Sequence, residues 1–163
     1  MKNKKIILII AGVIIFIIDQ ITKALLIEKN FIIIPNILDF TYTKNTGAAF
    51  GIGSNNIFFI ILVNVVILGF IIKFLKERKE DVDFKILISL VLILTGGIGN
   101  LVDRIFRGYV VDFIDINIFN FPNFNIADIS ITLGIIILMF CVLKMFFIEE
   151  KNDTKGTGER DEV

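Results

Sequence analysis

The chain has 163 residues, is 55% hydrophobic and sets 17 basic against 17 acidic residues for no net charge, with a mean hydropathy of +0.82. Soluble domains are only roughly 45–50% apolar, so an integral membrane protein is predicted, with room for one bundle of a few spans and none for a second soluble domain. Zero net charge argues against a nucleic-acid partner, and the lack of His together with a lone Cys141 removes disulfides, zinc sites and Cys/His dyads.

Four segments approach the ~17–25 residues that cross a bilayer: about Ile6 to Ile27, Ile57 to Leu75, Ile86 to Leu101 and Ile129 to Ile148. The first begins like a signal peptide, but no small-x-small cleavage site follows and the apolar run continues past Asp19, so it reads as an uncleaved span. Near its far end Asp19 and Lys23 stand at i and i+4 on one helical face, as a self-neutralising ion pair or as supports for a site in the outer leaflet.

The connection that follows is apolar and aromatic, with strand-like runs broken by Pro35, Gly47 and Gly51, and is expected on the membrane surface. Its segment KNTGAAFG places Asn45 and Gly47 in a turn whose small residues permit close approach by a ligand. The third span ends TGGIGNLVDRIFRG, where Gly96, Gly97 and Gly99 allow a neighbouring helix to come close. Asn100, Asp103, Arg104 and Arg107 follow at spacings of three and four, so one face carries an amide, an acid and cations; Asp103 is expected to pair with Arg104 or Arg107.

Next comes GYVVDFIDINIFNFPNFNIADISITLG, with Asp112 and Asp128 sixteen residues apart. Asp112 lies among Val110, Val111, Phe113 and Ile114, where desolvation raises a carboxyl's pKa. Asp128 falls in the first turn of the fourth span, where the helix dipole favours an anion, and Asn125 fits that helix's N-cap. If the two acids meet, one stays ionised and one protonated, which is a general base and a general acid able to set water on a peptide carbonyl. Asp115 is a competing acid that spacing does not remove. Beyond Ile148 the charged end, residues 149–163, lacks apolar periodicity and is expected to be a disordered cytoplasmic tail, leaving 1–148 as one membrane domain.

Lys and Arg fix the expected orientation. Ten fall at the N-terminus, between Lys76 and Lys85, and in the tail, against Lys29, Lys44, Arg104 and Arg107 on the other two connections. The positive-inside rule therefore puts both termini in the cytoplasm and the two longer loops outside. Three other chemistries fit the residue types. A Ser/Lys peptidase would use Ser130 or Ser54 with Lys23; a hard cation would take Asp103, Asp112, Asp115, Asp128, Asn100 and Asn125; and a proton or ion carrier would relay through Asp19 and the other acids.

Five ordered motifs, DQITK from Asp19, NTGAAFG from Asn45, GGIGNLVDR from Gly96, GYVVDF from Gly108 and FNIAD from Phe124, resemble those of lipoprotein signal peptidase (signal peptidase II) over nearly all of Lys5 to Ile148. The resemblance implies an all-α membrane fold of four transmembrane helices with a small extracytoplasmic β-cradle formed by the two outward loops. It implies a cofactor-free, metal-free aspartic endopeptidase with Asp112 and Asp128 catalytic, and with Asp19, Lys23, Asn45, Gly47, Asn100, Asp103, Arg104 and Asn125 binding substrate or supporting the site. The implied substrate is a diacylglyceryl-modified prolipoprotein, cut just before its lipidated Cys, by a monomer in contact with lipid in the bacterial cell membrane, with the active site near the outer leaflet surface. The chain departs from the family at Phe119, where a Trp is frequent.

Overall fold

The computed structural model of the chain describes residues 2–47, 56–78, 82–118 and 121–158. Four helices, α1 (Lys2–Leu26), α2 (Ile57–Glu77), α3 (Phe84–Arg107) and α4 (Ile126–Gly158), alternate with three strands, β1 (Asn30–Ile34), β2 (Leu38–Asn45) and β3 (Val110–Ile116). All four helices are long and apolar enough to cross a membrane. The protein is a multi-pass, all-α membrane protein carrying one small antiparallel sheet, ordered β1-β2-β3.

The expected spans are all present, and the helices outrun them. The third was expected to end at Leu101, yet α3 continues to Arg107 and stops at Gly108, whose φ of 78° supplies the left-handed cap. The apolar run stops at Leu101, but the helical spacing of Asn100, Asp103, Arg104 and Arg107 continues, and Asp103 meets Lys23 and Arg107 inside the bundle, which removes the reason to leave the helix. Helix α4 starts at Ile126, where the Asn125 N-cap puts it and three residues ahead of the apolar span, and is helical to Gly158 where the sequence predicts a disordered end. Glu149, Glu150 and Lys151 are good helix formers, and extending a helix already nucleated needs only one hydrogen bond per residue.

Helix α3 touches α1, α2, α4 and β3, so it is the centre of the bundle. Its glycines explain how. A Cβ at Gly96 would collide with the Ala127 carbonyl oxygen, and one at Gly99 would stand 2.9 Å from Asp19 Oδ2 and 3.3 Å from the Ala127 Cβ. The start of α4 and the far end of α1 are thus drawn against the α3 backbone, as small residues permit between membrane helices.

In the sheet, β1 and β2 form a hairpin closed by Pro35 and Asn36. Pro supplies the fixed φ and Asn36 the positive φ, 60°, that a type II turn needs, and Ile37 N–H closes it onto the Ile34 carbonyl at 3.0 Å. Strand β2 pairs with β3 in the register Thr43↔Asp112 and Asn45↔Val110. Lipid solvent inverts the usual distribution of residues. Ile, Phe and Leu cover the outside of the helices, whereas Asp19, Lys23, Asn100, Asp103, Asp112 and Asn125 are buried. Such groups survive at membrane depth where they satisfy one another.

Candidate active site

The site grows from the start of α4. Asn125 and Asp128 form a reciprocal capping box: Asn125 Oδ1 accepts from the Asp128 amide at 2.9 Å, and Asp128 Oδ2 accepts from the Asn125 amide at 3.1 Å. A third orphan amide of this turn, that of Ala127, donates to Asp19 Oδ1 at 2.9 Å. Capping leaves Asp128 Oδ1 free to accept from Asn100 Nδ2 at 2.7 Å. It also leaves the Asn125 amide nitrogen pointing at β3, where it donates to Asp112 Oδ1 at 2.6 Å. One residue therefore holds both aspartates.

Asp112 sits on the sheet and is 1% exposed. Its second oxygen accepts from Asn45 Nδ2 at 2.8 Å across the β2–β3 pair, and Asn45 Oδ1 in turn accepts from the Gly47 amide at 3.0 Å. Burial pushes the Asp112 carboxyl from 3.8 up to about 7, with the neighbouring Asp128 adding to the rise and the Asn45 and Asn125 bonds and the Lys23 charge opposing it. Asp115 is three residues further along the same strand, and alternation sends its side chain to the opposite face, paired with Asp39. Spacing alone left it open; the strand does not.

Behind the two acids lies an ion cluster. Lys23 Nζ is 2.9 Å from Asp19 Oδ2, 3.1 Å from Asp103 Oδ2 and 2.9 Å from Asn100 Oδ1, and is wholly buried. The expected pairing of Asp103 holds for Arg107 and not for Arg104. Arg104 instead turns to the loop, donating from Nη2 to the Gly47 carbonyl at 2.8 Å and from Nη1 to the Asn100 carbonyl at 3.4 Å. Three bases and four acids are gathered here, so the assembly is neutral when the Asp112/Asp128 pair carries one proton.

The structure thus brings Asp19, Lys23, Asn45, Gly47, Asn100, Asp103, Arg104, Asp112, Asn125 and Asp128 into one connected network. Gln20 also belongs, its Nε2 bonding Asp19 Oδ2 at 3.1 Å, the Gly99 carbonyl at 3.3 Å and Asp103 Oδ1 at 3.4 Å. Thr43 stands beside the network, opposite Asp112 on β2, its hydroxyl accepting from Asn123 Nδ2 at 2.8 Å. Gln20 had a signal, its place beside Asp19; Thr43 and Asn123 had none without the strand register. Ser130 donates to the Leu92 carbonyl at 2.8 Å, and Lys23 is engaged elsewhere, so that Ser/Lys pair does not form. Ser54, Gly51 and Phe119 lie outside the described residues. Among the described residues no group of three or more acids, His or Cys is arranged to hold a metal ion.

A family model described as signal peptidase (SPase) II matches residues 10–144. The chain belongs to the signal peptidase II family. The lipoprotein signal peptidase of Staphylococcus haemolyticus is 40% identical over 154 residues, covering 88% of this chain and 96% of that one. Its counterpart in Staphylococcus aureus is 40% identical over 144 residues, covering 83% and 87%. Two solved structures, each described as a bacterial membrane enzyme, are 34% identical with TM-scores of 0.77 and 0.74, covering 87% of this chain and 88% and 94% of theirs. The expected family and fold are both borne out, and the signal peptidase II chain is a membrane protease.

Proposed function

We propose that the chain is an aspartic endopeptidase that removes signal peptides from diacylglyceryl-modified prolipoproteins, cleaving just before the lipidated Cys. The observation that carries this reading is Asn125, which bonds Asp112 through its side chain and Asp128 through its capping box. Two carboxyls held by one residue at a largely buried site are the minimal equipment for activating water without a cofactor.

The acids divide the work by environment. In this reading Asp112, on the sheet and raised to about 7, carries the proton, and Asp128, in the first turn of α4 where the helix dipole favours an anion, carries the charge. Asp128 takes a proton from water as the oxygen adds to the scissile carbonyl, which the Asp112 O–H polarises. As the C–N bond breaks, the dyad returns one proton to the leaving nitrogen and ends the turnover with the single proton it began with. The signal peptide leaves with the new carboxyl and the lipidated Cys with the free amine.

Location supports the substrate. Two acyl chains hold the modified Cys at a leaflet surface, and a signal helix entering from the bilayer brings the scissile bond to that depth, where β3 and the start of α4 meet. The distribution of Lys and Arg favours both termini in the cytoplasm and this surface outside. The test is cleavage of a diacylglyceryl-modified prolipoprotein in detergent by the wild type, Asp112→Asn, Asp128→Asn and Asp115→Asn. The first two are expected to lose roughly 10²–10⁴-fold or more, the scale of general acid–base catalysis, with Asp115→Asn near wild type. Retained cleavage in both dyad variants would refute the assignment.

A further inference from the structure

The face of the sheet turned away from the dyad carries a second polar cluster. Asn45 reaches Asp112 on one face; alternation puts Tyr42 and Lys44 on the other. There the Tyr42 and Tyr109 hydroxyls meet at 3.1 Å, and Lys44 Nζ lies 5.2 Å from the centre of the Tyr109 ring. Arg107, one turn-residue before Tyr109, keeps its side chain 24% exposed while its Nη1 pairs with Asp103. Arg107 and Glu28 both act electrostatically on the Tyr42 hydroxyl.

The cluster has more donors than acceptors. Two hydroxyls in contact share one proton, which leaves the other hydroxyl proton to be donated elsewhere. Lys44 offers three N–H groups, and Arg107 four beyond the Nη1 contact's proton, with no acceptor atoms on either side chain. Burial and the Tyr109 hydroxyl push Tyr42 up to about 12, so it stays a donor. The acid nearby is Glu28, exposed in the turn after α1. An acceptor-only anion completes such a set.

Its position points to the source of that anion. On the turn just before the cluster, Phe106 is 81% and Ile105 55% exposed, apolar side chains facing outward on a membrane helix. Within one helical turn these give way to Arg107, Tyr109, Tyr42 and Lys44, the Tyr and Lys/Arg combination that marks the headgroup level of a bilayer. We propose that Tyr42, Lys44, Arg107 and Tyr109 form a binding site for the phosphate of an anionic phospholipid, on the back of the sheet that carries Asp112. Ile105 and Phe106 lie along its acyl chains, which a free phosphate would not use. A headgroup held at Lys44 anchors β2 one residue from Asn45, and so fixes the depth at which the dyad meets the membrane surface.

The test uses the full-length protein in nanodiscs and compares the immobilised fractions of spin-labelled phosphatidylglycerol and spin-labelled phosphatidylcholine. Lys44→Gln is expected to lower the preference for phosphatidylglycerol roughly fivefold, the effect of one cation at a membrane surface, and Tyr109→Phe by a smaller factor. Lys29→Gln, at an exposed lysine of the same loop outside the cluster, is expected to have a clearly smaller effect; an equal loss there would reduce the effect to general surface charge and overturn the site. Glu28→Gln is expected to raise the preference, a gain that misfolding does not produce, and no gain would count against the cluster. Inorganic phosphate at matched ionic strength is expected to leave the label in place. Displacement would assign the site to free phosphate and overturn the lipid.

Discussion

Asp112 gives the sharpest prediction because its burial acts on both stability and rate. A carboxyl whose pKa rises from 3.8 to about 7 on folding binds its proton more tightly in the folded state. Its contribution to stability is fully present below the ordinary carboxylate pKa and is lost as pH rises through about 7. Each tenfold in proton affinity is about 1.4 kcal/mol, so across that window the loss is on the order of 4 kcal/mol. Asp112→Asn lacks the titration. Its amide meets the Asn45 and Asn125 amides less well than a carboxylate does, but that cost is the same at every pH. The measurement is helicity by circular dichroism during denaturant titration in detergent, from pH 4 to 8, for both proteins. The wild type is expected to fall relative to Asp112→Asn as pH rises, and the difference to level off above about 7. Parallel curves would refute the buried, protonated Asp112. Wild-type cleavage should decline over the same upper limb, and a rate undiminished well above it would show that the proton on Asp112 is not the one used.

Asn45→Ala removes a hydrogen bond that holds the Asp112 pKa down, so the alkaline limb of the pH–rate profile is expected to move to higher pH. Lys23→Met leaves Asp19 and Asp103 buried without their cation, and a loss of roughly 3–5 kcal/mol in unfolding free energy is expected. Gly96→Val drives a branched side chain into the Ala127 carbonyl; roughly 1–3 kcal/mol of overpacking strain and reduced cleavage are expected together, because that carbonyl belongs to the first turn of α4. Saturating chelator is expected to leave the cleavage rate unchanged, and a loss restored by added Mg²⁺ or Ca²⁺ would reopen the cation reading.

The four spans were legible because bilayer thickness imposes one length on every crossing helix, and that constraint needs no tertiary knowledge. Asp112 was legible for a similar reason: a lone acid among Val110, Val111, Phe113 and Ile114 has no role in a bare strand. What escaped the sequence was partnership at a distance. Spacing offered Asp103 either Arg104 or Arg107 and Arg107 takes it, but nothing in the spacing shows that Arg104 reaches back to Gly47 or that Asp103 also meets Lys23 from the first helix. The same blindness made Asn125 a mere helix cap. Its Oδ1 does cap, and only the approach of β3 reveals that its Nδ2 holds Asp112. The C-terminal ends of α3 and α4 run past the apolar segments because charge there is neutralised in the bundle or carried on good helix formers.

The shared use of Asn125 also ties the site to the start of α4. A capping box must be formed for α4 to start where it does, and the same box sets the position of Asp128. Asp19 caps the adjacent amide while pairing with Lys23, and Lys23 bonds the Asn100 that bonds Asp128. Helix start, ion cluster and dyad are therefore one hydrogen-bonded object. In lipid, where an unpaired polar group costs several kcal/mol, such an object has few alternative arrangements. The geometry of the proposed dyad is held by the same bonds that make the polar interior tolerable to the membrane, so substitutions that loosen the site are expected to loosen the fold with it. Asp112 and Asn45, which meet the cluster from the sheet and cap no helix, are the exceptions, and they are where rate and stability can be separated.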